Sequence, residues 1–358
     1  MDLKKEILYV RILGIETSCD ETGAAVIEGN PDDKQVVLLS NVIASSLSLH
    51  AKTGGIIPEV AAREQLKYIL PVIDQALADA KLTQEKIDAI AVTFGPGLIG
   101  SLLVGVETAK TLAYTWNKPI IPVNHLVGHI YANFVRGNSK FEIRNSKFTS
   151  GDIQFPAIAL VVSGGHTDLV LMKKHGSIMW IGGTRDDAAG EAFDKIGRLL
   201  NLPYPAGPVI AKLAEKGNAK AFNFPRPMIG SKDFDFSFSG LKTAVLCEVK
   251  AMKQLDNDAI ADLSASVQQA IVDVLVRKTT KAAQKYKVKS FLLAGGVAAN
   301  ELLRKELEVS CHKLKVKFFV PTKNLCTDNA AMIASAAFFT YDEVAWEKIT
   351  ANPGLHFV

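Results

Sequence analysis

Cysteine is scarce: Cys19, Cys247, Cys311 and Cys326 are the only four in 358 residues, and none forms a CxxC. That argues against a disulfide framework and a cysteine-built zinc site, and it fits a reducing compartment, here expected to be the cytoplasm. Charge of one sign is also lacking. Forty-one Lys and Arg against 37 Asp and Glu leave a net +4. Such mild basicity permits an anionic partner without requiring one. Neither GxxxxGK[ST] nor GxGxxG occurs, which disfavours a P-loop or a dinucleotide Rossmann site. The first apolar run, Ile7 to Val10, is ended by Arg11, so no secretory signal peptide is expected. A long uncharged stretch, Ala89 to Val106, has Gly95-Pro96-Gly97 in its middle. Proline between two glycines breaks a helix, so the stretch reads as strand, turn and buried helix, with no membrane expected.

What is present is an ordinary globular balance, 48% hydrophobic and 22% charged, at a length that suits about two domains of roughly 150 residues. Arg11 to Ile15 and Gly23 to Ile27 read as strands around the polar loop Glu16 to Thr22. Residues 59 to 80 read as a helix with Val60, Leu66, Ile69, Leu70, Ile73 and Leu77 near one face. Ile87 to Phe94 is a buried strand, followed by the Gly95-Pro96-Gly97 turn and a helix to Tyr114. The pattern then recurs. Ala157 to Ser163 and Asp168 to Met172 flank the turn Gly164-Gly165-His166-Thr167. Phe291 to Ala294 leads through Gly295-Gly296 into a helix over 298–309. The recurrence predicts two similar α/β halves, 1–123 with 325–358 and 124–324. Their cleft would be walled by glycine turns and helix N-termini, which attract anions because free N–H groups face the gap. The polar segment 137–155 repeats Asn138-Ser139-Lys140-Phe141 as Asn145-Ser146-Lys147-Phe148 and is expected to be an inserted surface loop.

His125 and His129 are four apart, so on a helix both imidazoles reach one metal ion; the pair equally fits a helix-start histidine beside a core histidine. Asp328 is the best third ligand, though it precedes the apolar helix 330–339 and could serve as its N-cap. Two histidines and a carboxylate would suit iron or zinc acting as a Lewis acid. A protease of the HExxH type lacks its base, because Leu126 follows His125. Asp186, Asp187, Glu191 and Asp194 read either as a solvated helix start or as ligands for a ribose or a metal–nucleotide complex. Asp20 and Glu21 carry the same ambiguity. Two basic runs, from Arg277 to Lys289 and from Arg304 to Lys317, have Tyr286 as their one interleaved aromatic and read as solvated faces or backbone contacts to a folded RNA.

These residues resemble a known family. Ile12-Leu-Gly-Ile-Glu-Thr-Ser-Cys-Asp-Glu-Thr22, Gly95-Pro-Gly-Leu-Ile-Gly-Ser-Leu-Leu-Val-Gly105, Asn124-His-Leu-Val-Gly-His129, Val162-Ser-Gly-Gly-His-Thr167, Asp186-Asp-Ala-Ala-Gly-Glu-Ala-Phe-Asp-Lys195, Phe236-Ser-Phe-Ser-Gly-Leu-Lys242 and Ala294-Gly-Gly-Val-Ala-Ala-Asn300 are similar to the TsaD (Gcp/YgjD) tRNA N6-adenosine threonylcarbamoyltransferases, in their bacterial and organellar branch. The resemblance implies a duplicated actin/Hsp70/sugar-kinase-like (ASKHA) fold. It implies Fe2+ on His125, His129 and Asp328, with zinc as the other metal such ligands suit. It implies substrate contacts from Val161, Val162, Ser163, Gly164, Gly165, Asp194, Gly207 and Asn300. Where the family usually shows a serine and later a histidine after Pro58-Glu59, this chain has Ala62 and Gln65.

The implied enzyme is an acyltransferase. Threonylcarbamoyl-AMP donates its threonylcarbamoyl group to N6 of adenosine 37 in tRNAs reading codons that begin with A, and Asp20 or Glu21 could take the proton. Partners implied in bacteria are tRNA, a paralogous subunit of the same fold (TsaB) and a small P-loop ATPase (TsaE). Two other readings compete: a small-molecule kinase of the same fold, and a non-catalytic ATP-binding subunit of a tRNA-modification complex.

Overall fold

The structure is a computed structural model and describes residues 9–32, 34–137, 150–252 and 255–357. Most of the expected insert, residues 138–149, lies outside the described residues. Two compact units form. The first takes the described residues up to Leu49, then Ile56–Asp152 and Thr327–Phe357; the second takes His50–Gly55 and Ile153–Cys326.

The first unit is built on β1 (Val10–Glu16), β2 (Glu21–Gly29), β3 (Val36–Ser45), β4 (Ala89–Gly95) and β5 (Ile120–Asn124), with the short β6 (Val135–Arg136) beside β3. The strand order is β5-β4-β1-β2-β3-β6. β1 pairs antiparallel with β2 and parallel with β4, and β4 pairs parallel with β5. The second unit holds β7 (Ala157–Val162), β8 (Thr167–Lys174), β9 (Ser177–Gly183), β10 (Ser290–Ala294) and β11 (Lys317–Phe319), in the order β11-β10-β7-β8-β9. Its pairings repeat the first set strand for strand: antiparallel β7–β8 and β8–β9, parallel β7–β10 and β10–β11. The recurrence legible in the sequence is therefore a duplicated topology.

The division between the units differs from the expected one. The first join falls at 152/153 rather than 123/124, because the helix His125–Tyr131 and β6 stay with the first sheet: β6 pairs with β3, and the helix packs beneath Ala330–Thr340. The long helices also refine the reading. Pro58–Ala80 starts at a proline, which suits the first helical position. Its buried residues are Ala61, Gln65, Ile69, Val72, Ile73 and Ala76, while Leu66 and Leu70 are 65% and 56% exposed. The core-facing stripe is thus rotated toward the alanines. In the second half, Gly296–Ala299 is a 3-10 turn, and the α-helix begins only at Glu301 and runs to Leu314. One helix, Asn257–Tyr286, is apolar and long enough to cross a membrane, but 67% of its apolar window is buried. Leu263, Val267, Ile271 and Leu275 from it lie in the core of the second unit.

The helix Ala330–Thr340 is the keystone of the first unit. Its residues 330–337 are all buried, and five of these eight are alanine. It lies against β1 so closely that a Cβ on Gly14 would sit 2.3 Å from the Ala330 carbonyl oxygen. Forcing a methyl group into such a contact typically costs about 1–3 kcal/mol. Gly14→Ala should lower unfolding stability by about that amount, read from denaturant midpoints; wild-type stability would show that the helix can retreat freely.

Candidate metal centre and substrate turns

Three strands of the first sheet end in polar residues: β1 in Glu16, β4 near Thr93 and β5 in Asn124. Asn124 caps the helix His125–Tyr131, its side chain accepting from the N–H groups of Leu126 and Val127 at 2.8 and 3.4 Å. A capped first turn fixes the direction in which His125 leaves the helix, and His129 follows one turn later on the same face. The two rings lie 4.6 Å apart at 78°.

Asp328 completes the group. Its Oδ1 lies 3.4 Å from His125 Nε2 and 3.2 Å from His129 Nε2. It is not the N-cap of the following helix. Asn329 is, accepting from the Met332 N–H at 3.0 Å, so the Asp328 carboxylate has no capping duty. Bonds of about 2.1 Å to one ion put neighbouring donor atoms roughly 3.0–3.4 Å apart. The observed spacings match that range. Neither ring nitrogen of His129, a side chain 1% exposed, makes a well-formed hydrogen bond. Buried polar atoms without partners are rare and call for an explanation; a metal ion on Nε2 provides one. The donor set therefore fits a transition metal, and the partial exposure of Asp328 leaves one side of the site accessible.

Behind His125 stands Glu16, wholly buried. Its Oε1 accepts from the Ser18 N–H at 2.6 Å, and its Oε2 accepts from the Thr93 hydroxyl at 2.6 Å and faces His125 Nδ1 at 3.0 Å. Ser18 Oγ lies 3.1 Å from the same nitrogen. A carboxylate at Nδ1 keeps the proton there and leaves the Nε2 lone pair toward Asp328, the arrangement that orients metal-bound histidines. Burial alone would push His125 toward its neutral form, but the charges of Glu16 and Asp328 prevail and hold its pKa well above the ordinary value. Burial would likewise raise Asp328, and the two imidazoles beside it more than reverse that, holding it far below the ordinary carboxylate range.

The sequence reading gave no role to Glu16, Thr93 or Gln65. A signal existed for the first two: polar residues closing otherwise apolar parallel strands mark the end of a sheet where ligands bind. Gln65 is 1% exposed, and its amide donates to the carbonyls of Thr17, Cys19 and Glu21 at 3.2, 3.0 and 3.1 Å. It thereby pins the loop between Glu16 and Glu21 to the helix Pro58–Ala80. Of the two acids proposed as bases, Asp20 is buried. Glu21 has its pKa pushed up to about 9 by burial and by the charges of Asp328 and Asp20. At neutral pH Glu21 is therefore protonated, which disfavours it as the base. Burial and the same neighbours push the Cys19 thiol far up, so it is no thiolate ligand.

In the second unit the turn after β7 is closed by the Ser163 N–H donating to the His166 carbonyl at 2.8 Å. A Cβ on Gly164, Gly165 or Gly296 would meet nothing within 4 Å. Packing does not demand glycine there, and the bare backbone remains open to a ligand. Val162 lies under the second glycine turn, where a Cβ on Gly295 would come 2.4 Å from its carbonyl oxygen. Asp194 accepts from the Ala206 N–H at 2.7 Å and so caps the helix Ala206–Ala214, whose second residue is Gly207. Burial raises the Asp194 pKa, against the pull of that N–H, the Arg198 charge and the Gly207 N–H. A cavity of about 340 Å³ opens beside it, lined by Arg198, Leu202, Pro203 and Tyr204. Asn300 caps the helix Glu301–Leu314 through the Leu303 N–H, and its Nδ2 donates to Gln268. Val161 to Gly165, Asp194, Gly207 and Asn300 thus all belong to the second unit. The acids beside them serve the fold: Asp186 accepts from Phe238 and Ser239, and Asp187 and Glu191 both pair with Lys195.

The family model of TsaD, tRNA N6-adenosine threonylcarbamoyltransferase, matches residues 37–335. The chain belongs to the TsaD family. A Moorella thermoacetica protein named tRNA N6-adenosine threonylcarbamoyltransferase is 48% identical over 340 residues, covering 95% of this chain and 94% of its own length. A Bacillus licheniformis protein of the same name is 48% identical over 359 residues, covering 99% and 98%. Among solved structures, full-length HypF in its phosphate- and nucleotide-bound form superposes with a TM-score of 0.59 at 12% identity, over 94% of this chain and 47% of that one. HypF from T. kodakarensis gives 0.57 at 14% identity, over 93% and 47%. The chain thus spans about half the length of each HypF chain, and the likeness establishes the duplicated ASKHA fold expected of TsaD.

One pH effect follows from Glu21. Unfolded, it titrates near its ordinary 4.5; folded, near 9. Between these values the folded TsaD chain holds a proton that the unfolded chain has lost, so stability falls as pH rises through the window. Glu21→Gln should flatten that fall in metal-free protein, measured by denaturant unfolding at several pH values. An unchanged slope would mean that Glu21 is ionised in the folded state.

Proposed function

We propose that this member of the transferase family moves the threonylcarbamoyl group from threonylcarbamoyl-AMP to N6 of adenosine 37 in tRNA, with a metal ion, iron in the first place, held by His125, His129 and Asp328. What carries the reading is the family match along the chain, joined to a donor trio that fits a metal. The donor is a mixed anhydride and already activated. N6 attacks the carbamoyl carbon, the bond from that carbon to the phosphate oxygen breaks, and AMP leaves with the electron pair. Bound to the trio, such a metal would supply Lewis-acid stabilisation of developing negative charge.

The chain's own groups have distinct tasks. Glu16 holds the Nδ1 proton of His125 and so fixes the ring. Gln65 holds the 17–21 loop against the helix behind it. Asp20 accepts the proton lost by N6, and protonated Glu21 beside it is a donor rather than a base. The open turns at Gly164, Gly165 and Gly296 are suited to a phosphate, as backbone N–H groups in glycine turns are, and Asp194, Gly207 and Asn300 of the same unit would border a nucleotide. Partners of the kind named for bacteria find support in an apolar surface. Leu66, Leu70, Ile99 and Leu103 are 65%, 56%, 50% and 44% exposed, on two helices that touch where Gly100 meets Ala62. A surface of this kind favours protein association, and we assign it to the paralogous subunit, with the P-loop ATPase completing the cycle. The free thiols suit a cytoplasmic setting.

Asp328→Asn and His129→Ala should each cut metal content and transfer by at least roughly tenfold while leaving the thermal midpoint close to wild type. Full metal content in either variant would remove that residue from the ligand set. The function itself is tested by reconstitution with tRNA, threonylcarbamoyl-AMP and both partner proteins, read by nucleoside analysis. Absence of N6-threonylcarbamoyladenosine from metal-loaded protein under those conditions would overturn the transferase reading.

A further inference from the structure

The two basic runs of the sequence do not survive as runs. Lys278 is wholly buried, and with Lys281 it holds the loop around Ser231 and Asp233. Arg304 turns inward to the carbonyls of Ala298 and Pro321. Four of the others, Lys287, Lys289, Lys315 and Lys317, lie at one place, the end of the second sheet where β7, β10 and β11 begin. Lys317 opens β11, and its N–H donates to the carbonyl of Lys289, which immediately precedes β10. The Lys289 N–H donates in turn to Pro156, just before β7. β8 runs the other way, so Lys173 and Lys174 at its end follow Met172, the partner of Ala157. Lys287 and Lys315 terminate the two helices that lead into β10 and β11. With strands about 4.8 Å apart, the positions from Lys317 to Lys173 span roughly 15 Å.

Several lysines of this protein have carboxylates: Lys67 with Glu64, Lys110 with Glu107, Lys195 with Glu191. On this rim Lys173, Lys174, Lys287, Lys289 and Lys315 are exposed, and among the described residues none is engaged in an ion pair. Like charges at these separations lie within about one screening length of each other and repel. A ligand with regularly spaced negative charge relieves that repulsion and releases its own counterions. The rings at the rim, Phe155 and His175, pack edge-on against each other at 4.9 Å, so the surface offers charge rather than a stacking platform.

We infer that this lysine rim docks the phosphate backbone of the tRNA, at a point remote from the reacting adenosine. The inference rests on the transferase reading above for the identity of the polyanion. β7 is six residues long, which at about 3.3 Å per residue puts the rim roughly 20 Å from the Ser163–Gly165 turn at its other end. Contacts at that distance position the tRNA body and carry no base information.

The test is a charge-removing triple variant, Lys173→Gln with Lys289→Gln and Lys315→Gln, beside the charge-keeping triple with arginine at the same three positions. Affinity of the full chain for tRNA is measured across a salt series. The glutamine variant should bind at least roughly tenfold more weakly near 0.1 M salt, and the slope of log affinity on log salt should shrink by about 2–3. The arginine variant should keep both, and transfer at saturating tRNA should be unchanged in either. Wild-type affinity and slope in the glutamine variant would overturn the inference. So would loss of binding to phosphatidylserine vesicles with tRNA affinity intact, which would assign the rim to a membrane. Failure of the transferase reading registers separately, as wild-type protein that yields no modified nucleoside at saturating tRNA.

Discussion

The close approach of the Ala330–Thr340 helix to β1 is the contact on which the first unit depends. A chain that leaves this unit at residue 152 and returns at 327 must be held by something stronger than sequence proximity. It is held by small residues. Gly14 and Gly23 let the helix lie almost on the strand backbone, and Gly128 does the same beneath Ile333. Dispersion between atoms this close is weak singly and large in sum. The consequence for chemistry is direct. Asp328 stands two residues before that helix, and Asn329 caps it, so the depth at which the helix seats fixes where the Asp328 carboxylate meets His125 and His129.

Charge sets the second constraint. Glu16 and Asp328 flank the His125 ring, the charges of Asp328 and Asp20 reach Glu21, and Glu16 has no exposure at all. An isolated buried carboxylate is very costly unless it is paired and hydrogen-bonded. Without a metal, the chain meets this by keeping a proton on His125 and another on Glu21, which is why both pKa values lie high. A cation on the trio would compete with the proton on His125, so metal binding and proton release would be linked.

Much of this was legible in the residues. The i, i+4 spacing of His125 and His129 needed only helix geometry, and the duplicated strand–turn pattern predicted two sheets of equal topology. Other features were not legible. Leu66 and Leu70 look like core by periodicity, yet the alanines beside them are buried instead, because close helix–sheet packing prefers small side chains. Asp328 looks like a cap, and one residue of register gives that task to Asn329. The join expected at 123 moved to 152, since the pairing of β6 with β3 cannot be read from a two-residue strand. Glu16 sits in an apolar strand whose last residue carries the function, and Gln65 reaches three carbonyls some 44 to 48 residues away. Local pattern does not encode contacts of that range.

The duplicated topology also explains how one plan serves two kinds of ligand. β1 corresponds to β7, β4 to β10 and β5 to β11 by their places in the two sheets. At the ends of the first three stand Glu16, Thr93 and the Asn124-His125 pair: side chains with carboxylate, hydroxyl and imidazole groups, suited to a cation. At the ends of β7 and β10 stand Ser163-Gly164-Gly165 and Gly295-Gly296, which have almost no side chain and expose amide N–H groups, suited to an anion. Parallel strands direct their C-terminal ends to the same side of a sheet, where ligands bind. The backbone plan chooses that location in both units. Residue type then decides the sign of the charge that each unit is suited to bind.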